Sequence, residues 1–399
     1  MGQPVKKGQG IKKGTGLSAL KDKMNLRPSE KNITVSNADK PMEWLIMPKA
    51  FQDATRLSGI PCGYCNLIAG FSDVGKSTLV GHILSAAQHH PKPLIPVIYD
   101  TENNLDWTYL KNMGFEAEPV YGDVDVEEVD PETGEIKIVR KNEIIGYDGN
   151  FLYFNNRILA ERYGNFDYST GKETKQKRKE AVIEDIAASM KELLDAQDAG
   201  EVEAGFVFVW DSIGSITSYR SYKSLTNSNL FDAGAVSVAF SSLLNNRIPS
   251  SRKQSSKYTN TFIGVNKVWL DSMTAPMAQP IMKMKNGETM YYATHGLIIQ
   301  LGGAITRGIK HLKATAKGAK YKYGIESKIK VIKNQLPSPY TLSYEGPIIC
   351  TPHGFIAEDE LAQYQKEHIS EMLSELQSRL SDTESVTAAD VSFISEDDE

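Results

Sequence analysis

Tyr64-Cys65-Asn66-Leu67-Ile68-Ala69-Gly70 runs directly into Phe71-Ser72-Asp73-Val74-Gly75-Lys76-Ser77, and the reading of this stretch decides the fold. The first seven residues form a short apolar run ending in glycine, as a buried strand does. Residues 70–77 satisfy G-x-x-x-x-G-K-[ST] at every specified position. The residues from Ser77 to Ala87 then follow with helical spacing. Strand, glycine loop and helix in that order is the context that gives the motif its physical meaning. Glycines let backbone N–H groups close around phosphate oxygens, and the helix N-terminus adds a field that favours an anion. Gly70, Ser72, Asp73, Val74, Gly75, Lys76, Ser77 and Thr78 are therefore expected around the phosphates of ATP. Lys76 is expected on the β- and γ-phosphates and the Ser77 hydroxyl on Mg²⁺.

Further out, Pro93–Asp100, Gly205–Asp211 and Asn260–Asn266 read as buried strands, and His295–Leu301, Ser327–Lys333 and Tyr340–Glu345 as further strands. Helices are predicted at Phe51–Leu57, Asn104–Met113, Ala181–Ala199, Ala233–Leu244 and Leu361–Leu380, the last as a packing element. Strands alternating with helices predict an α/β fold with a mostly parallel, doubly wound sheet. Residues 117–180 form the least regular part. There Val126–Val129 and Ile136–Val139 flank a turn at Asp130–Glu135, which predicts a hairpin, and Lys172–Lys179 is strongly basic. Residues 268–290 are polar, Met-rich and without periodicity.

Two acids fall where chemistry is expected. Asp211 ends the apolar run Phe206–Trp210, which suits a Mg²⁺-side carboxylate at a strand end, although aspartate also caps helices. Glu102 lies just past the strand Ile95–Tyr99, at the sheet edge where ligands of a doubly wound fold sit. A carboxylate there either orients water or caps a helix, and spacing leaves both open. The stretch Arg307–Lys333 holds nine Lys/Arg and one acid, Glu326, with Tyr321 and Tyr323 interleaved. That pattern suits contact with a phosphate backbone and equally a solvated face.

The bulk numbers agree with a globular chain. It has 399 residues, of which 40% are hydrophobic and 24% charged. No run approaches the length of a membrane span, and the start Met1-Gly2-Gln3-Pro4-Val5-Lys6-Lys7 lacks the apolar run of a secretory leader. A reducing, cytoplasmic setting is predicted. Cys62-Gly63-Tyr64-Cys65 has no second pair or His cluster beside it, so it reads as small residues next to a buried strand. Charge is uneven along the chain. Residues 1–40 form a flexible basic arm, with a short helix expected near Leu17–Met24. Residues 358–399 carry thirteen Asp/Glu and two Lys/Arg, so against the chain's formal −5 the remainder is net basic. A basic body with an acidic tail is common among nucleic-acid binders, and acidic tails also serve solubility.

The order of these landmarks resembles RecA-type recombinases across roughly residues 41–350, and the phage UvsX-like branch in particular. The resemblance implies a RecA-like P-loop NTPase core over 41–350, with 117–180 as an insertion and 351–399 as a C-terminal helix and acidic tail. Gly70–Ser77 resembles the family's Walker A. Tyr99-Asp100-Thr101-Glu102-Asn103-Asn104-Leu105-Asp106 with Tyr109 resembles its catalytic-glutamate segment. This implies that Glu102 activates water while Asp106 and Tyr109 contact and stack on adenine. Val209–Ile216 is similar to the Walker B strand and turn. Phe262–Lys267 resembles the strand entering the second DNA-binding loop, with Lys267 where the family usually carries a glutamine phosphate sensor. The following segment, Val268–Met290, resembles that mobile loop and offers Met282, Lys283, Met284 and Lys285 for DNA. Ser218–Asp232 would be the first DNA loop, with Arg220 and Lys223 as candidates. Ile329–Tyr340 resembles the strand that projects lysines toward a neighbour's ATP. Lys333 fits that role, and Gln335 departs from the second lysine.

The resemblance implies an ATP- and Mg²⁺-dependent DNA recombinase that forms a helical filament on single-stranded DNA and pairs it with duplex DNA. Its acidic tail would compete for the basic surface or recruit single-strand-binding or mediator proteins. Two other readings share the core: a hexameric helicase, for which 40 N-terminal residues are few, and an ATP-binding regulator without strand exchange, which the Lys267 and Gln335 departures keep open.

Overall fold

A computed structural model describes residues 39–129, 136–224, 229–271, 281–284, 287–303, 307–380 and 385–395. The predicted arm helix Leu17–Met24, the turn 130–135, much of the Met-rich segment with Lys285, and the last four acidic residues lie outside them.

The chain enters through β1 (Trp44–Ile46), α1 (Lys49–Thr55) and β2 (Gly59–Pro61), then reaches β3 (Cys65–Gly70) and α2 (Lys76–Gln88). There follow β4 (Leu94–Asp100), α3 (Trp107–Asn112), the hairpin β5 (Glu118–Val129) and β6 (Ile136–Asp148), β7 (Leu152–Asn155) and α4 (Asn156–Tyr163). A small β8 (Phe166–Asp167)/β9 (Lys172–Glu173) pair leads to α5 (Ile183–Asp198) and β10 (Gly205–Asp211). Next come α6 (Tyr219–Ser224), α7 (Asn229–Ser242), β11 (Thr261–Asp271), β12 (Ile281–Met284), α8 (Gly287–Ala293) and β13 (Leu297–Leu301). The C-terminal part holds β14 (Lys310–Ala316), β15 (Ala319–Asn334), β16 (Glu345–Thr351), β17 (Gly354–Ile356), α9 (Leu361–Glu367), α10 (Ile369–Gln377) and β18 (Ser392–Ser395).

Six strands in the order β13-β3-β11-β10-β4-β7 are parallel and form one side of the sheet, with β7 at its edge. Their sequences are apolar at consecutive positions because both faces are covered. Alternation still sorts the side chains. Ile68, Val207, Val209 and Val265 pack with Leu79, Val80 and Ile83 of α2. Leu67, Phe206, Phe208 and Trp210 pack on the other face with Ile186 and Met190 of α5 and Phe240 of α7. Helices therefore cover both faces, as the α/β expectation requires. Beyond β13 the sheet turns antiparallel through β15, β16 and β17, with β14 and β18 attached, so the parallel pairing runs from β13 to the β7 edge. This wing has its own apolar cluster, in which Leu312, Ala314 and Tyr323 meet Tyr364, Met372 and Leu376 of the C-terminal helices.

Four local expectations change. The hairpin is far longer than Val126–Val139, because its polar alternation extends to Glu118 and Asp148. Residues 268–290 are not all loop: β11 continues to Asp271, pairs with β12, and α8 follows. The strand expected at Tyr340–Glu345 is absent up to residue 344, where the chain turns after Pro337 and Pro339, and β16 begins only at Glu345. The helix expected at Leu361–Leu380 is two helices meeting at His368.

The wing is fastened to the core at α2. The backbone N–H of Phe355 donates to His82 Nε2 at 2.8 Å. Gly354 (φ +113°) lies flat against the ring, where an added Cβ would come within 2.5 Å of it. Burial pushes the His82 pKa down from 6.5 to about 4, so the ring folds neutral. Its stabilising contribution is complete above pH 6.5 and is lost as pH falls toward 4, by up to about 3 kcal/mol. Urea denaturation at pH 7 and pH 5 checks this. The wild type should lose more stability over that interval than His82→Gln, which still accepts the Phe355 hydrogen bond but does not titrate.

Candidate functional site

The loop after β3 is built by close packing. Gly70 pairs with Lys267 on one side and Leu301 on the other. A Cβ on Gly70 would lie 2.8 Å from the Leu301 carbonyl and 2.9 Å from Val74 Cγ2. Val74 is fully buried, and its carbonyl accepts from Ser327 Oγ at 3.2 Å. Asp73 (φ +63°) and Gly75 (φ +101°) turn the chain into α2. The helix N-terminus has no side-chain cap and no acid in its first turn. Its open N–H groups and positive end therefore face outward uncompensated, an arrangement suited to a phosphate.

Lys76 is buried, and its ammonium donates to the Phe71 carbonyl. Burial lowers its pKa, while Asp211, Glu102 and Asp73 pull it back up. The loop separates two cavities. One, of about 400 Å³, is bordered by Gly75, Thr78, Tyr109, Tyr323, Cys350 and Thr351. The other, of about 370 Å³, is bordered by Ser72, Ser77, Asp100, Glu102, Asp211 and Lys267. Asp73, Lys76, Ser77 and Tyr109 touch both.

The second cavity opens at the carboxyl edge of the parallel sheet. Register places Asp211 beside Asp100, and Lys267 beside Gly70. Asp100 is occupied structurally: it accepts from the backbone N–H groups of Asn104 and Leu105 and from the Tyr153 hydroxyl. Glu102 accepts from Lys267 Nζ at 2.7 Å, from Asn104 Nδ2 at 3.1 Å and from the Ser212 hydroxyl. Burial alone would raise the Glu102 pKa, but these donors, Lys267 foremost, hold it below the ordinary value. Asp211 goes the other way. Burial first, then the charges of Glu102 and Asp100, push it up to about 6 against the pull of Lys76 and Lys267. A buried carboxylate with excess negative charge beside it is what a hard divalent cation would relieve, and Ser77 shares its cavity. The residues present fit Mg²⁺.

Tyr109 is fixed by its hydroxyl, which bonds Thr78 Oγ1 at 2.7 Å and the Thr351 carbonyl at 3.2 Å. Asp106 caps α3 by accepting from the Tyr109 N–H at 3.0 Å, so it orients that ring while bordering the second cavity.

The DNA candidates fall in different places. Lys267 belongs to the charged edge with Glu102. Lys223 on α6 is paired with Asp167 at 2.8 Å and lies over the Tyr219 ring. Arg220 is exposed on the same helix. Met284 packs partly buried against the second core cluster, Met282 and Lys283 lie on β12, and Lys285 is outside the described residues. Lys333 borders neither cavity; its ammonium donates to the carbonyls of Tyr291 at 2.5 Å and Thr294 at 2.8 Å. Sequence reasoning missed Asn104 and Ser212 as supports of Glu102, and Asp100 as the anchor of the turn that carries Asn104. Their adjacency to the two strand-end acids was the available signal.

No protein-family model and no curated protein matches this chain.

Gly75→Ala tests the loop architecture. A side chain there meets Cys350 Sγ at 2.5 Å and occupies a left-handed backbone. The variant should lose about 1–3 kcal/mol in urea denaturation, whereas Gly171→Ala, also left-handed but with open space around it, should lose less.

Proposed function

We propose that this chain is an ATP-dependent DNA strand-exchange protein with a RecA-like P-loop core. The observation that carries the reading is the charged edge, where an uncapped helix N-terminus and buried Lys76 face Asp211, Glu102 and Lys267 across one cavity. Loop N–H groups and Lys76 bind the phosphates of ATP, and Ser77 and Asp211 hold Mg²⁺. Bound Mg²⁺ neutralises charge on the phosphates. Glu102, kept ionised by its donors, is placed to take a proton from water.

Lys267 links the nucleotide to the rest of the chain. It has one ammonium and two anionic claimants, Glu102 and an incoming phosphate. A phosphate in the second cavity draws it from Glu102, which frees the base. The same shift is felt along β11, which runs on into the β11–β12 hairpin carrying Met282, Lys283 and Met284. That hairpin is the part of the chain we assign to single-stranded DNA. Subunits joined head to tail with an unclosed rotation make a helix along that strand.

The Lys267–Glu102 pair favours one other reading, an ATP-binding regulator whose base stays masked. Electron microscopy on circular single-stranded DNA with a non-hydrolysable ATP analogue separates them. Continuous filaments that vanish in Lys76→Ala are expected. Six-membered rings would indicate a helicase, and absence of any assembly would indicate the regulator. In the same system Glu102→Gln should bind ATP normally yet lower DNA-stimulated kcat by about 100-fold or more, as measured by phosphate release.

A further inference from the structure

One constellation has no part in that reading. His353 lies in the turn between β16 and β17, His368 at the junction of α9 and α10, and Glu371 three residues further on, in the first turn of α10. The two imidazoles stack with centroids 3.9 Å apart at 25°. Glu371 Oε2 is 3.6 Å from His353 Nε2 and also 3.6 Å from His368 Nδ1. The three ligand atoms all fall within 4.8 Å of one another.

Both 3.6 Å separations are long for an N–H···O hydrogen bond. They are close to a different length. Bonds of about 2.0–2.1 Å to a tetrahedral zinc ion put neighbouring ligand atoms roughly 3.3–3.4 Å apart. The second nitrogen of His353 is already engaged, since Nδ1 bonds the Tyr364 hydroxyl at 3.0 Å. With Nδ1–H donating to that hydroxyl, the ring is oriented and Nε2 is left as a lone-pair donor, the usual outer support of a metal-bound histidine. Tyr364 is itself buried in the wing cluster, so this support is rigid. The side chains are between 26% and 44% exposed, which leaves a path for a cation and room for water as a further ligand.

We propose that His353, His368 and Glu371 bind one divalent transition-metal ion of the zinc class, the His368 ring turning out of its stack on His353 so that both in-plane lone pairs meet the ion. Two imidazoles and a carboxylate suit zinc over Mg²⁺ or Ca²⁺, which take oxygen ligands. The ion clamps the β16–β17 turn to the α9–α10 junction. That turn also walls the first cavity through Thr351 and Pro352, and the His353 N–H donates to Thr351 Oγ1 at 3.2 Å. The clamp therefore stiffens the seat of Tyr109, whose hydroxyl bonds the Thr351 carbonyl.

The test titrates metal-free full-length protein with Co²⁺ and follows its visible absorption, then displaces it with Zn²⁺. One equivalent should develop intense tetrahedral-type bands that Zn²⁺ abolishes. His353→Ala and His368→Ala should each remove the bands. Tyr364→Phe should keep them but weaken affinity about 10–100-fold. Cys62→Ser and Cys65→Ser should leave them intact, because those thiols are buried elsewhere. Far-UV circular dichroism of each metal-free variant establishes that it is folded, and Glu371→Gln, on the exposed helix face, should weaken Co²⁺ binding at least about 10-fold, whereas unchanged affinity would remove Glu371 from the site and overturn the proposal. Absence of bands in excess Co²⁺, or bands that persist in both histidine variants, would overturn the proposal.

Discussion

Parallel pairing makes every strand of the central sheet end at the same edge, and the site depends on that constraint. β3, β4, β10 and β11 deliver Gly70, Asp100, Asp211 and Lys267 to one rim because their registers align there. An antiparallel sheet of the same strands would scatter these residues to opposite ends. The crossover helices cover both faces, so the strands stay apolar along their length and become polar only where they emerge.

Crowding like charges at a half-buried rim needs compensation. Asp100 is satisfied by two backbone N–H groups and a tyrosine hydroxyl, which removes it as a reactive group. Glu102 is satisfied by Lys267, Ser212 and Asn104. Asp211 is the least satisfied of the three, and its raised pKa records that shortfall. The two lysines divide their field among three acids. An anion at the helix N-terminus, with a divalent cation beside Asp211, would rebalance the rim, and the proposed shift of Lys267 would belong to the same electrostatic event.

Much of this was legible in the sequence, for physical reasons. The strands around the loop are buried on both faces, so their apolar runs stand out, and the loop itself tolerates few residue types because Gly70 and Gly75 have no room for a Cβ. What escaped reading depends on partners distant in sequence. The Lys267–Glu102 pair spans 165 residues and exists only through the β3–β11–β10–β4 register. The cationic stretch Arg307–Lys333 looked like a uniform charge run. It is largely the β14–β15 hairpin, in which Leu312, Ala314 and Ala316 point into the wing while Lys313 and Thr315 alternate with them. Lys328 and Lys330 there face Glu345 of β16. The β5–β6 hairpin was legible at Val126–Val139, but its extension to Glu118 and Asp148 escaped because the ribbon packs no continuous apolar face.

The proposed site joins the β3–α2 loop and Asp211 around one nucleotide and its cation. Titration of a fluorescent ATP analogue into the full-length protein, with and without Mg²⁺, tests it most directly. One binding event per chain is expected, which tightens with Mg²⁺, is lost in Lys76→Ala, and loses its Mg²⁺ dependence in Asp211→Asn. Binding that ignores both substitutions, or no binding to the wild type, would contradict it.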